Sequence, residues 1–494
     1  MRSLAWVLGV GVAVATPGCA QLFGIDQTSG GDAGVDAYGG STLAFDRYSV
    51  GATIVQAPLP VDGLAAPTFF VGDAQVPGVV SAPNAWQSDQ RASAVLFHLP
   101  DYPASIPRMF AFPSPSVHGL FGILEHPAPQ PASATAQISL ALSLPTPAAA
   151  GESFQLYIVG AWSVLGLAPE VAAASISQAN LYTTYSSLTG RPLEAITAGD
   201  AVLALRYTGA QLTAALDAPG FAQADATDQV TGGLTALALD RTLNVALTPA
   251  DAATRLAAAA PTSPAAAVFN WALTAAPGFA IASNAGPQLH AGGLLATDTT
   301  LAVTYANPFA ATHAWHTVFT NVAHLDRSYT PAAGALAGKA IGLVTQVHTL
   351  REPGDGTAAD SPTFDAGLPT MVTLGATPLT TDGLQVADDP TTPLVVTFVA
   401  DKPDNTLYQV QVLESALAMD GTTLTLHNIF SYTGVAPTLT LPANTLVAGH
   451  TYRLRAVCIA GGYPGLASGD LTQRDLPLSV GLLDSGVFTV GAPL

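Results

Sequence analysis

The chain has 494 residues, of which 49% are hydrophobic, so its length favours about two to four domains and its composition excludes intrinsic disorder. It carries 34 acidic and 15 basic residues, and a net charge of −19 without any basic cluster excludes nucleic acid as a partner. The same charge repels anionic lipid headgroups, so attachment to a membrane would need something other than a basic surface.

The amino-terminal segment predicts export. Arg2 provides a positive start, and the apolar stretch from Leu4 to Ala15 has the length of a signal-peptide core, which is short for a membrane span. Residues 15–19, Ala-Thr-Pro-Gly-Cys, resemble a lipobox, the motif of bacterial lipoproteins. The resemblance implies a signal peptide over residues 1–18, cleavage before Cys19, and lipid on both the Cys19 sulfur and the new amino terminus.

Two alternatives for this segment are an ordinary secretory signal with an incidental cysteine and a retained membrane anchor. By the lipoprotein resemblance, Ala20 in place of an aspartate implies sorting to the outer membrane, with the lipid bilayer as partner through Cys19. The other cysteine is Cys458, so we expect neither a disulfide within the mature chain nor a multi-cysteine metal site.

The segment after the cysteine, residues 19–41, has the composition of a flexible tether. Short apolar runs broken by proline and glycine then predict strands in the pattern of β-sandwiches. The clearest runs are residues 136–144, 154–159, 202–207, 301–305, 341–347, 394–399 and 408–413. The best helix signal has Thr248 as N-cap and Pro249 in the first turn.

These strands predict an all-β architecture of tandem sandwiches of the immunoglobulin or fibronectin kind. We place domain boundaries near residues 168 and 360, the second in a linker rich in proline, glycine and aspartate. The expected domains are residues 42–168, 169–360 and 361–494.

Residues 369–494 carry the most specific pattern. Alternation along the strand near residue 452 predicts an inward face formed by Tyr452, Leu454, Ala456 and Cys458. The pattern resembles a fibronectin type III domain, which implies that Tyr452 is its tyrosine corner, that Phe398 replaces its core tryptophan, and that Cys458 is a buried thiol. Arg453 and Arg455 are predicted on the opposite, exposed face.

Candidate chemistry is sparse. The sequence contains no motif for a nucleophilic serine, a zinc protease or a phosphate-binding loop. His313, His316 and His324 lie close together near Trp315 and could bind zinc or copper. On a strand, however, His313 and His316 would point to opposite faces, so we prefer structural histidines packed beside Trp315.

Two further groups of residues have a functional and a structural interpretation. Linker acids could bind calcium, although solvated side chains are the preferred interpretation of Asp355, Asp360, Asp365, Asp388 and Asp389. Exposed aromatic rows can stack on sugars, although most such residues belong to cores, and the candidates are Tyr182, Tyr185 and Tyr207.

Together these features predict a non-enzymatic, lipid-anchored protein of the cell envelope without a cofactor. Its β-sandwiches would form a binding, adhesion or spacer surface, with an envelope protein or a polysaccharide as partner. The alternative is a lipid-anchored hydrolase or carbohydrate-active enzyme whose catalytic part lies within residues 42–360. A concave site with converging acids or histidines in that region would favour the enzyme.

Overall fold

The computed structural model describes residues 40–98, 106–111, 114–122, 138–159, 163–181, 195–222, 229–260, 266–277, 286–293, 295, 297–354, 356 and 359–491. The fold is nearly all β, with 54% strand and 5% helix. The predicted all-β sandwich class is therefore confirmed.

The first sandwich comprises β1 (Ser41–Val50), β2 (Ile54–Pro58), β3 (Thr68–Val71), β4 (Ala74–Pro77), β5 (Val79–Ala82), β6 (Ala85–Ser88), β7 (Ala94–His98), β8 (Pro107–Ala111) and β9 (Ser116–Gly122). One of its sheets contains β1, β2, β5, β6 and β9, and the other contains β3, β4, β7 and β8. Large apolar side chains from both sheets, including Phe45, Trp86 and Phe97, fill the core between them.

The second sandwich comprises β10 (Ile138–Ser143), β11 (Glu152–Ile158), β12 (Ser163–Leu167), β13 (Ser175–Leu181), β14 (Val202–Thr208), β15 (Gln211–Asp217), β16 (Gln229–Gly233) and β17 (Thr235–Ala236). The strands β10, β13 and β16 form one sheet, and β11, β12, β14 and β15 belong to the other. Strand β14 is apolar on both faces because Val202 and Ala204 face one core, whereas Leu203 and Leu205 face another.

The third unit comprises β18 (Arg241–Leu247), α1 (Pro249–Ala259), β19 (Val268–Ala276), β20 (Gln288–Ala291), β21 (Thr299–Tyr305), α2 (Phe309–His313), β22 (His316–Tyr329) and β23 (Ile341–Arg351). The predicted helix is confirmed as α1, with Thr248 at the N-cap position. The Thr248 side chain makes no cap hydrogen bond, and the Asp298 carboxylate instead accepts one from the Ala250 amide at 3.3 Å.

The fourth unit comprises β24 (Pro369–Leu374), β25 (Thr377–Pro378), β26 (Leu384–Val386), β27 (Leu394–Ala400), β28 (Leu407–Leu417), β29 (Leu424–Gly434), β30 (Thr438–Leu441), β31 (Thr451–Gly461), β32 (Leu478–Asp484) and β33 (Phe488–Val490). A four-stranded sheet in the order β25-β24-β27-β30 packs against the sheet that contains β28, β29 and β31.

The predicted core residues of this unit lie where the sequence places them. The Val447 amide donates a hydrogen bond to the Tyr452 hydroxyl at 2.9 Å, and the Tyr452 ring is buried. Phe398 is buried and meets Tyr408 edge-on, with ring centroids 5.7 Å apart. Cys458 is a buried free thiol, as predicted.

The four units share one 19-stranded sheet. Strand β20 meets β15 at the pair His290 and Gln211, β23 pairs with β32, and β29 pairs in parallel with β8. The smaller sheets pack on the faces of this sheet, so one layer of each unit belongs to the common sheet.

Hydrogen bonding crosses both predicted domain boundaries. Strands β11 and β14, on either side of residue 168, pair over Glu152–Ile158 and Val202–Thr208. Strands β23 and β32, on either side of residue 360, pair over Thr345–Leu350 and Leu478–Leu483. The boundaries stay predictions, because pairing between strands does not define which segments fold alone.

The prediction that Arg453 and Arg455 face solvent is wrong. Both guanidinium groups are buried beside the Asp484 carboxylate, which is fully buried. The Arg455 Nε and Nη2 atoms donate to Asp484 at 2.7 and 3.0 Å. The Val344 amide of β23 donates to the same carboxylate at 3.0 Å, and Arg453 donates to the Gly342 carbonyl. The alternation pattern failed here because β31 is covered on both faces.

A third arginine extends this buried cluster. The Arg327 Nη1 atom of β22 donates to both oxygens of Asp382 at 2.9 Å, and Nη2 donates to the carbonyls of Asp484 and Ser485 at 2.8 and 2.9 Å. Because the cluster joins β22 and β23 to the last strands of the chain, it fixes the fourth unit against the third.

Candidate functional site

A cleft of about 600 Å³ opens on the third unit. Its walls are residues 240–242 at the start of β18, Tyr305 at the end of β21, residues 315–317 at the start of β22, and residues 352–354 and 356 after β23. These segments meet because β18 and β21 are antiparallel, so that Arg241 and Tyr305 are directly paired. The cleft has the size of ordinary small-molecule sites, which occupy about 300–1,000 Å³.

The floor of the cleft is a hydrogen-bonded polar network. Tyr305 is buried, the side chains of Arg241 and Thr317 lie beside its hydroxyl, and burial raises the pKa of Tyr305 above the ordinary value. The Asn307 Nδ2 atom donates to the Thr317 hydroxyl at 3.1 Å and to the Trp315 carbonyl at 3.0 Å. These mutual contacts hold the floor in one arrangement before any ligand arrives.

The segment after β23 forms the opposite wall and is attached to β18. Asp360 exchanges backbone hydrogen bonds with Asn244 and Ala246 at 2.9 and 2.7 Å, and its carboxylate pairs with Arg351. Gly356 has φ +76°, and a Cβ atom there would lie 2.5 Å from the Thr242 carbonyl oxygen. A glycine at this position therefore allows the wall to approach the strand closely.

The charged groups at the mouth are Asp240, Arg241, His316 and Glu352. The His316 Nδ1 atom lies 3.5 Å from Glu352 Oε1, and both side chains are partly exposed to solvent. The mouth therefore carries two carboxylates, one guanidinium and one imidazole.

The three histidines that the sequence groups together do not converge. His313 Nε2 lies 2.7 Å from Asp217 Oδ2, and its ring stacks on Trp315 with centroids 5.0 Å apart. His324 Nε2 lies 3.6 Å from Asp326, in a different part of β22 from the cleft. Throughout the described residues, no three histidine, cysteine or carboxylate side chains come together as a metal site would require.

Trp315 is buried and its Nε1 atom donates to the Ala52 carbonyl at 2.8 Å. Its packing against the His313 ring agrees with the preferred structural interpretation of this cluster. Of the cluster's histidines, His316 lines the cleft.

The described acidic residues considered as calcium ligands each make their own local contacts. Asp365 and Asp389 each accept a hydrogen bond from a threonine hydroxyl two residues away, at 2.6 and 2.8 Å. Asp360 forms the ion pair with Arg351, Asp388 lies beside Gly375, and Asp355 is outside the described residues.

Of the candidate stacking tyrosines, Tyr207 of β14 is buried in a core, which agrees with the structural interpretation and excludes it as an exposed stacking surface. Tyr182 and Tyr185 lie outside the described residues, as do residues 1–39 with Cys19. The lipidation site and the tether therefore stay predictions.

The sequence analysis missed the main components of the cleft: Asp240, Arg241, Tyr305, Thr317 and Glu352. One available signal was the unusual density of polar residues where β21 ends and β22 begins. Arg241 and Glu352 are more than one hundred residues apart in the sequence, so only the fold shows that they share a site.

Comparisons with known proteins do not assign the chain to a family. No protein-family model matches the chain, and no curated protein matches it at a significant level. Within the described part of the chain, no helix is both long and apolar enough to cross a membrane. The function must therefore be inferred from the residues of this chain.

Proposed function

We propose that the protein is an exported, lipid-anchored component of the cell envelope that uses its joined β-sandwiches as a non-enzymatic binding surface. The anchor is supported by the apolar segment that ends at Cys19, and placement in the outer membrane by Ala20. An envelope protein or a polysaccharide is the proposed partner class.

The observation that carries the binding role is the polar cleft between the β18–β21 pair and the start of β22, which belongs to the sheet that all four units share. A site mounted on paired strands keeps its geometry better than one mounted on loops. The buried arginines of the fourth unit add to this rigidity, because breaking a buried ion pair is costly.

The anchor is tested by intact-mass analysis of membrane-extracted protein. We expect a chain that begins at Cys19 and carries acyl groups, and we expect Cys19→Ala to appear in the soluble fraction. Cys458→Ala is the matched control, because it removes the other cysteine and should remain at the membrane. An unmodified chain cleaved elsewhere, or a Cys19→Ala protein that still fractionates with membranes, would contradict the proposal.

We also propose that residues 369–494 are a fibronectin type III-like unit. The hydrogen bond between the Val447 amide and the Tyr452 hydroxyl supports this, since a tyrosine corner is a recurring feature of such sandwiches.

A hydrolase is the second candidate, because His316, Glu352 and Asp240 all line one concave site within residues 42–360, and His316 lies 3.5 Å from Glu352. Hydrolysis of oligosaccharides by the purified protein, lost in Glu352→Gln, would favour this candidate. Absence of turnover together with ligand binding would favour the binding protein.

A further inference from the structure

We propose that the cleft beside Tyr305 binds a neutral, polyhydroxylated ligand, namely a short glycan of about two or three sugar rings. The inference deepens the proposed binding role and rests on it, but it does not depend on the lipid anchor. It follows from the charge, the hydrogen-bonding groups and the shape of the cleft.

The charges at the mouth select against anionic ligands. Asp240 and Glu352 repel phosphates and carboxylates, and the protein as a whole carries a charge of −19. Arg241 lines the same cleft and offsets the charge of one of these two carboxylates. A neutral molecule with many hydroxyl groups avoids the repulsion and can form hydrogen bonds with all three groups.

The lining supplies donors and acceptors on several sides. Guanidinium and carboxylate groups are planar and can each form two hydrogen bonds with neighbouring hydroxyls. Arg241 has five donor hydrogens, and this exposed residue lines the cleft. Threonine hydroxyls at residues 242 and 317 add groups that both donate and accept. The polar part of the wall is larger than the apolar part, which includes Pro353, and this suits a ligand rich in hydroxyl groups.

The floor is arranged in advance of binding. Tyr305 and Thr317 are both buried and lie side by side, and Asn307 donates a hydrogen bond that fixes the Thr317 hydroxyl. A ligand therefore meets groups whose orientation has already been set, which lowers the entropy cost of binding.

The test is isothermal titration of the full chain with three neutral trisaccharides, cellotriose, maltotriose and chitotriose, and with the acidic trisaccharide trigalacturonate. We expect at least one neutral trisaccharide to bind, and trigalacturonate to bind at least tenfold more weakly. Arg241→Met should weaken neutral binding by tenfold or more, because it removes charged hydrogen-bond donors. Glu352→Gln should reduce the difference in affinity between the neutral trisaccharide and trigalacturonate, because it removes one charge that repels the acidic ligand.

Matched controls change the same residue types on exposed surfaces elsewhere: Arg91→Met and Glu170→Gln should bind like the unmodified protein. Thermal melts of every variant check that it is folded, and Glu352→Gln tests the site even if Arg241→Met does not fold. The inference is overturned if no neutral trisaccharide binds, if trigalacturonate binds better, or if the control variants weaken binding as much as the cleft variants. Membrane fractionation of the same protein is independent of this result, so a failed glycan site is distinguishable from a failed anchor.

Discussion

The Asp484 carboxylate gives the most decisive test of how the units are joined. It is fully buried, with Arg455 nitrogens at 2.7 and 3.0 Å, the Val344 amide at 3.0 Å and Arg453 Nε at 3.4 Å. Asp484→Asn keeps the shape but removes the negative charge, and it turns an amide group toward donors. Because two guanidinium groups are then left without their counter-charge, we expect a loss of about 3–5 kcal/mol in the free energy of unfolding.

The pH dependence of this loss has a definite sign. Burial alone raises the pKa of Asp484, but Arg455 and Arg453 outweigh it and hold the pKa below the usual 3.8. A depressed pKa stabilises the folded state above the unfolded value, and that contribution is lost as the pH falls through the folded pKa. The difference between the unmodified protein and Asp484→Asn should therefore be full at pH 7 and shrink below about pH 4.

Urea denaturation measures the loss, and hydrogen exchange followed by mass spectrometry locates it. Because Asp484 contacts both β31 and β23, peptides from both strands should lose protection. Asp62→Asn, at an exposed position, is the matched control and should change stability by less than about 0.5 kcal/mol. A loss of protection confined to β31–β33, or equal effects of the two substitutions, would refute the idea that this carboxylate joins the units.

Three further predictions follow from buried groups. Burial and the charge of Arg474 lower the pKa of His348 to about 4, so the free energy of unfolding should fall by up to about 3 kcal/mol as the pH decreases from 6.5 to 4. Urea denaturation measures this decrease, and it should be smaller in His348→Gln. Tyr452→Phe keeps the ring but loses the hydrogen bond from the Val447 amide, so it should lower the free energy of unfolding by about 1 kcal/mol in the same assay. A decrease below about 0.3 kcal/mol would contradict a tyrosine corner with a buried hydrogen bond. Burial raises the pKa of Cys458 to about 12, so a thiol reagent at pH 8 should react only after urea unfolds the protein, and rapid labelling of the folded state would disprove this.

The fold class could be predicted from the sequence because apolar runs bounded by proline and glycine match the length of strands and are too short for most helices. The run at residues 202–207 became β14, and the run at residues 408–413 became part of β28. The sharing of one sheet could not be predicted, because an edge strand that pairs with another unit has the same local pattern as one that faces water. Strand β8, which pairs with β29, is such a case.

The candidate site was only partly visible in the sequence. His316 lines the cleft, whereas His313 and His324 belong to other contacts. Alternation placed Arg453 on the face opposite Tyr452, but the expected exposure of Arg453 is wrong, since a strand covered on both faces hides polar side chains that a two-layer sandwich would expose. Two arginines on one strand are unusual in a chain with so few basic residues. Their burial could not be inferred from this alone, because the acid at residue 484 that pairs with them is identified only by the fold.

The common sheet also has a consequence for how the chain reaches its final state. Strand β8 pairs with β29, and the Ser114 hydroxyl donates to the Ser468 carbonyl across 354 residues of sequence. The first sandwich is thus synthesised early, but one of its edges gains its neighbour only when the last quarter of the chain is present. Contacts between residues so far apart in the sequence slow folding. Until these contacts form, the open edge of the first sandwich is exposed to aggregation. We therefore expect truncation near the carboxyl end to reduce the solubility of the protein more than the loss of a single independent domain would.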